Sequence, residues 1–350
     1  VKPREIFALT AGAYLSMAWL GKLLYFNGIE ALPALYALTF LALLFTGWSL
    51  DVKVPDWTFL LAFLLLIPLG PGYLIGGLLS FAFLFIAMRK DLLEKAVPFA
   101  VLLAVVLTTI ACAMWGIPLL KPELRYTTAS VPFLVAGDLL IGAIAVFPDF
   151  RLLLLGEMIA LIGASRTVGL GIAVAYILRL AYDGRINTGE IKKHRTQLVL
   201  GAVLLLAVFL ARYYVTVSEY PTWKLGFFGS LLYRPASSYT VYERLFHLGM
   251  PLGNRALLFN PDPTGYVGRL FGKEIGYTYT LFGQPVYDFG ILGLIEALIL
   301  GLALGRASKN PFTGTFALTV AIIALDIGIE GQFLVAILLM AYLAGVKRNG

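Results

Sequence analysis

Across 350 residues the chain is 60% apolar and only 13% charged, with a mean hydropathy of +0.87. A water-soluble domain of that length would have to show more polar surface than this composition supplies. The net charge of +7 sits mostly between the apolar runs, so it reads as an orientation signal and not as a nucleic-acid surface.

Lipid tolerates such a chain if every backbone N–H and C=O is bonded within it. The runs are long and continuous, without strand-like alternation, so they are helices and not barrel strands. Spans are expected over 5–26, 31–50, 57–70, 72–88, 94–117, 130–147, 151–164, 167–182, 197–216, 288–305, 312–328 and 332–346. This is an all-α polytopic membrane protein of about twelve transmembrane helices. The third and seventh spans are short for a bilayer and fit tilted, re-entrant or half-buried segments. Three parts are expected: an N-terminal bundle over 1–217, an extracytoplasmic loop with short helices over 218–287, and closing spans over 288–350.

Lys and Arg alternate between the two sets of loops. One set holds Lys2, Arg4, Lys53, Arg89, Lys90, Lys95, Arg151, Arg185, Lys192, Lys193, Arg195, Arg306, Lys309, Lys347 and Arg348. The short loops of the other set are poorer, with Lys22, Lys121, Arg125 and Arg166. Both termini are therefore expected in the cytoplasm, with the protein in the cell membrane. The first span is too long for a cleaved signal and is expected to stay as an anchor. Cys112 lies inside an apolar run, so there is no internal disulfide framework. His194 and His247 are the two histidines, which excludes a histidine-rich metal cluster.

Segment 218–287 is rich in Tyr, Trp and Arg. Within it Ser237–Gly249 reads as a short amphipathic helix. Thr240 and Glu243 offer a capping box, Tyr239, Tyr242 and Phe246 share a face, and Pro251 ends it. Such a helix can lie on the membrane surface and roof a cavity.

Two arginines stand out. Arg166 lies in Gly163-Ala-Ser-Arg-Thr167 between two spans, and Arg234 precedes the loop helix in Leu232-Tyr-Arg-Pro-Ala-Ser-Ser238. A guanidinium stays charged and grips phosphate through paired bonds, whereas the bland alternatives are a snorkelling helix end and a solvated loop residue. Glu243, Asp262, Glu274 and Asp288 are the acidic candidates for a base. Asp288 would equally serve as a helix cap, and His247 is a lone histidine on the polar face. Asp138, Glu157, Glu296 and Asp326, within or near spans, are the best argument for a transporter, and Arg179 or Arg212 would pair with some of them. No internal repeat is evident, which disfavours a transporter built from duplicated halves. There is no Walker A motif, no His-Glu-x-x-His and no Asp-x-Asp, so glycosyl transfer here would proceed without a divalent ion.

Many spans, one large late outer loop and a few closing spans resemble the O-antigen ligase and Wzy-type polymerase superfamily. Three segments carry the likeness: Ala164-Ser-Arg-Thr-Val168, Arg234 with the downstream Met250-Pro-Leu-Gly-Asn254, and Thr280-Leu-Phe-Gly-Gln-Pro-Val-Tyr-Asp-Phe-Gly-Ile-Leu-Gly293. The resemblance implies an inverting, metal-independent and cofactor-free transfer between lipid-linked oligosaccharides at the outer leaflet. It implies that Arg166 and Arg234 engage a polyprenyl or dolichyl diphosphate, with a chain-length regulator protein as a further partner. Ligases often carry a histidine before the re-entry motif. Tyr279 or Thr280 stands there in this chain, which favours a polymerase and leaves Asp288, Glu274 and His247 competing to assist the acceptor hydroxyl. Tyr239 and Tyr279 are the candidates for stacking on sugar rings. The reading from another class is a transporter or flippase for a lipid-linked or anionic substrate.

Overall fold

The computed structural model of the chain describes residues 2–50, 58–186, 189, 195–220 and 222–346. The orientation signals at Lys53, Lys192, Lys193, Lys347 and Arg348, and His194, lie outside the described residues.

The helices are α1 (Pro3–Tyr25), α2 (Ala31–Ser49), α3 (Thr58–Leu66), α4 (Pro71–Arg89), α5 (Leu93–Trp115), α6 (Val131–Val146), α7 (Phe150–Ile162) and α8 (Arg166–Tyr182). They continue as α9 (Arg195–Glu219), α10 (Phe227–Gly249), α11 (Pro263–Leu270), α12 (Thr280–Phe289), α13 (Gly293–Ala307), α14 (Pro311–Ile327) and α15 (Gly331–Leu343). No strand occurs among the described residues. The protein is an all-α polytopic membrane protein. Among the described residues, seven segments are long and apolar enough to cross a bilayer alone, the last running from Thr280 through Ala307. By contrast, α7 has 13 residues and rises only about 20 Å, short of the hydrocarbon thickness.

Local chemistry sets the helix ends. The Asn310 side chain accepts from the N–H groups of Phe312 and Thr313, and Asp149 accepts from Arg151. The chain divides into two compact units. The first holds residues 91–230 with the first six residues, and the second holds 7–90 and 231–350. The dividing point falls inside α10, so segment 218–287 is shared between them.

Two sequence expectations change. The span expected from 288 begins earlier, as α12 from Thr280, and breaks at Gly290 before α13. The loop helix begins at Phe227, ten residues before the expected start, with Pro235 inside it. Helix formation continues through Pro235 because tertiary packing outweighs the one hydrogen bond a proline removes. Thr240 is therefore internal and donates to the Ala236 carbonyl, so no capping box forms. Nor does this helix lie as a surface roof. Its aromatic face packs into the second unit, Tyr239 against Trp19 of α1, Tyr242 against Phe282 of α12 and Phe246 against Tyr36 of α2.

In the second unit α2 and α13 pack nearly backbone to backbone. A Cβ on Gly47 would lie 2.3 Å from the Leu298 carbonyl oxygen, and one on Gly301 2.0 Å from that of Leu44. Gly301-Leu-Ala-Leu-Gly305 is the small-x-x-x-small pattern that brings membrane helices this close, where van der Waals contact replaces the hydrophobic driving force. Gly301→Ala is expected to cost about 3 kcal/mol, because the obstructing atom is backbone and cannot rotate away. Gly12→Ala, which meets nothing within 4 Å, should stay within about 0.5 kcal/mol of wild type. Thermal melting in detergent checks both; equal effects would mean that this interface does not need its glycines.

Candidate functional site

The long helix α10 organises the polar groups of the second unit. Toward its N-terminal half stands Arg234, whose Nε lies 3.6 Å from Oδ2 of Asp326, with the two side chains 36% and 29% exposed. Asp326 sits in the last turn of α14. Its other oxygen accepts from the Ser238 hydroxyl at 3.0 Å, and Ser238 shares a 2.6 Å hydrogen bond with Thr278. Ser238 follows Arg234 by one helical turn, so both side chains leave the same face of α10. The Tyr14 ring of α1 is buried within electrostatic reach of Asp326 and Arg234.

A second cluster lies near the C-terminal end of α10. Lys22 and Glu243 form a buried ion pair, and the other Glu243 oxygen accepts from the Glu30 N–H at 3.1 Å. Burial pushes the Glu243 carboxyl up and Lys22 pulls it back. Glu30 and His247 pair at the exposed edge. His247 is thirteen residues beyond Arg234 on one helix, hence about 20 Å away at ~1.5 Å per residue. That separation keeps His247 from acting on a bond whose leaving group Arg234 holds.

Asp288 is fully buried near the end of α12. Oδ1 accepts from the N–H groups of Ala256 and Leu257 at 2.9 and 2.7 Å, and Oδ2 accepts from Leu258 at 2.7 Å and from Gln284 at 3.0 Å. It caps a loop and not the start of a span. Beside it the two loop motifs meet. Asn254 N–H donates to Tyr287 O and Arg255 N–H to Asp288 O, while Ile291 N–H donates back to Pro251 O. A Cβ on Gly249, Gly253 or Gly290 would fall 2.1–2.2 Å from a carbonyl oxygen of the facing strand of chain. Gln284 reaches on to Glu296 at 3.4 Å, leaving Oε1 of that buried carboxylate without a hydrogen bond.

Tyr279, expected to meet sugar, is fully buried. Its hydroxyl donates to Ile329 O at 3.0 Å, and its ring lies where a Cβ of Gly328 would be. Tyr239 is equally buried, against Trp19 and Tyr242. Both rings belong to the core, and neither offers a face to a glycan. Glu274 is exposed between α11 and α12. Asp262 caps α11 by accepting from Gly265 N–H at 3.0 Å. Near it, Glu330 accepts from Gln332, and burial, with the charge of Asp262 as the lesser cause, pushes Glu330 up to about 7.

In the first unit Arg166 opens α8, with the Ser165 hydroxyl accepting from Val168 N–H behind it. Glu157 is buried beside Gly169, with neither carboxylate oxygen hydrogen-bonded, whereas Asp138 is exposed on α6. Arg179 pairs with Asp183 and Arg212 with Glu219, so neither neutralises the carboxylates within the spans.

The sequence marked Asp326 only as a carboxylate near a span and Lys22 only as an orientation signal, without their partners Arg234, Ser238 and Glu243. Ser238 was findable as the residue one turn after Arg234. Which residues on α1, the α1–α2 connection and α14 the α10 side chains meet carries no local signal.

Lys22→Ala should cost about 3–5 kcal/mol, since it strands a buried carboxylate. The double variant Lys22→Met/Glu243→Leu should regain most of that, short of the lost Glu30 bond at about 1 kcal/mol. Additive losses in melting experiments would show that the pair is not coupled. For Glu330 the folded pKa lies above the ordinary 4.5. Its contribution is therefore full below pH 4.5, falls as pH rises toward 7, and stays lost above. Glu330→Gln should melt higher than wild type at pH 8 and nearly level with it at pH 5; a pH-independent difference would contradict the shift.

A family model described as "Putative O-antigen polymerase" matches residues 14–342, nearly the whole chain. No curated protein and no solved structure matches. The match runs through both units, the two arginines and the paired loop motifs, and on it the chain belongs to the O-antigen polymerase family.

Proposed function

We propose that this protein joins lipid-linked oligosaccharide repeat units by inverting, metal-independent glycosyl transfer from a polyprenyl-diphosphate donor at the outer leaflet. The family supplies the coarse activity, polymerisation of lipid-linked repeats in the membrane. The observation that carries the donor chemistry is Arg234, partly exposed and tethered through Nε by Asp326. In this reading its Nη groups serve the donor diphosphate, whose charge grows as the glycosidic bond breaks. Arg166, at the positive end of α8, is proposed as a second anion-binding arginine. Both termini are then cytoplasmic, and segment 218–287 faces outward. A separate chain-length regulator remains an expected partner.

The test is reconstitution in liposomes with a lipid-diphosphate oligosaccharide and EDTA, with products resolved by size. Wild type should give a ladder of repeat-unit multiples. Arg234→Ala and Arg166→Ala should each lose about 10²–10³-fold, the scale of one lost charge-stabilising contact. Arg→Lys should recover little, because the two-pronged guanidinium fork is gone. An intact ladder from Arg234→Ala would remove that residue from the donor site. Movement of the lipid-linked sugar between leaflets without a ladder would favour a flippase instead.

A further inference from the structure

We propose that Asp326 is the general base of this transfer, binding the acceptor hydroxyl and taking its proton; the assignment rests on the polymerase reading above. Its position is the first argument. Asp326 occupies the last turn of α14, the end of a helix where the backbone dipole disfavours a negative charge. There the Arg234 ion pair and the Ser238 hydrogen bond hold the carboxylate in place.

Its surroundings are those of an oriented base. Ser238 donates to Oδ1 at 3.0 Å and is itself fixed by Thr278 at 2.6 Å. The turn that follows is pinned: Tyr279 N–H donates to Ile327 O, its hydroxyl donates to Ile329 O, and its ring abuts Gly328. The carboxylate nevertheless keeps 29% of its side-chain surface accessible. Two competing groups fail, one on burial and one on distance. Asp288 is buried with both oxygens committed to N–H donors, and His247 lies about 20 Å along α10 from Arg234.

Nε of Arg234 and Oδ2 of Asp326 lie 3.6 Å apart, so a hydroxyl bound by the carboxylate and a phosphate oxygen bound by the Nη groups of Arg234 belong to one site. In the step the acceptor oxygen attacks C1 of the donor glycan as its proton passes to Asp326. The C1–O bond to the diphosphate breaks, its electron pair leaves on the phosphate oxygen beside Arg234, and the configuration at C1 inverts.

Asp326→Asn keeps the side-chain shape but cannot accept the proton. In the liposome assay it should lower ladder formation by about 10²–10⁴-fold. Azide attacks C1 without needing a base. With azide added, Asp326→Asn should form glycosyl azide of inverted configuration at the wild-type rate, read by mass spectrometry and NMR, while Arg234→Ala forms neither product. If Asp326→Asn forms no glycosyl azide, the carboxylate only positions Arg234 and the assignment is wrong. It is equally wrong if that variant makes the ladder within about tenfold of wild type. A wild type with no ladder overturns the polymerase reading, and this assignment with it.

Discussion

Asp288 holds three consecutive backbone N–H groups, those of Ala256, Leu257 and Leu258, on one buried carboxylate. A desolvated charge is costly unless its lone pairs are filled, and charge-assisted bonds of 2.7–2.9 Å fill them. The result is a tight joint between the α10–α11 connection and α12. The facing backbones around Gly249, Gly253 and Gly290 touch directly there because no side chain intervenes. The Met250–Asn254 and Thr280–Gly293 motifs are therefore two sides of one structural contact, and their functional weight is to hold the rest of the second unit in place.

With that joint made, α10 has little freedom. Tyr239, Tyr242 and Phe246 bury its aromatic face against α1, α2 and α12, and the Lys22–Glu243 pair locks it to α1. Arg234 and Ser238 thus stand on a packed helix instead of a mobile loop. Reactive groups carried on such an element keep their geometry more closely than groups on a connection. Along the same helix the Arg234–Asp326 pair and the Glu30–His247 pair stand about 20 Å apart.

The spans were legible because lipid imposes one rule on every backbone group, and apolar length satisfies it visibly. Misreadings fell where two local signals conflicted. The loop helix was expected from Ser237, yet α10 runs from Phe227 through Pro235. Gly290 looked like part of a continuous entry into the membrane, yet it breaks α12 from α13 at φ +57. Tyr239 and Tyr279 looked like surface aromatics because tyrosine suits both a sugar site and a core, and sequence does not distinguish a hydroxyl that meets water from one that meets Ile329 O.

Composition and hydropathy by themselves determined that this chain is a helical membrane protein, where most of its apolar helices fall, and that Arg166 and Arg234 stand out among its charges. Those properties are additive along the chain, so a window of residues suffices to read them. Only the tertiary structure decided that Asp326 belongs to Arg234, that Asp288 is a backbone cap, and that Lys22 meets Glu243 across 221 positions of sequence. Such pairings depend on which helix faces are brought together, and that choice rests on glycine contacts and buried polar bonds that no single segment encodes.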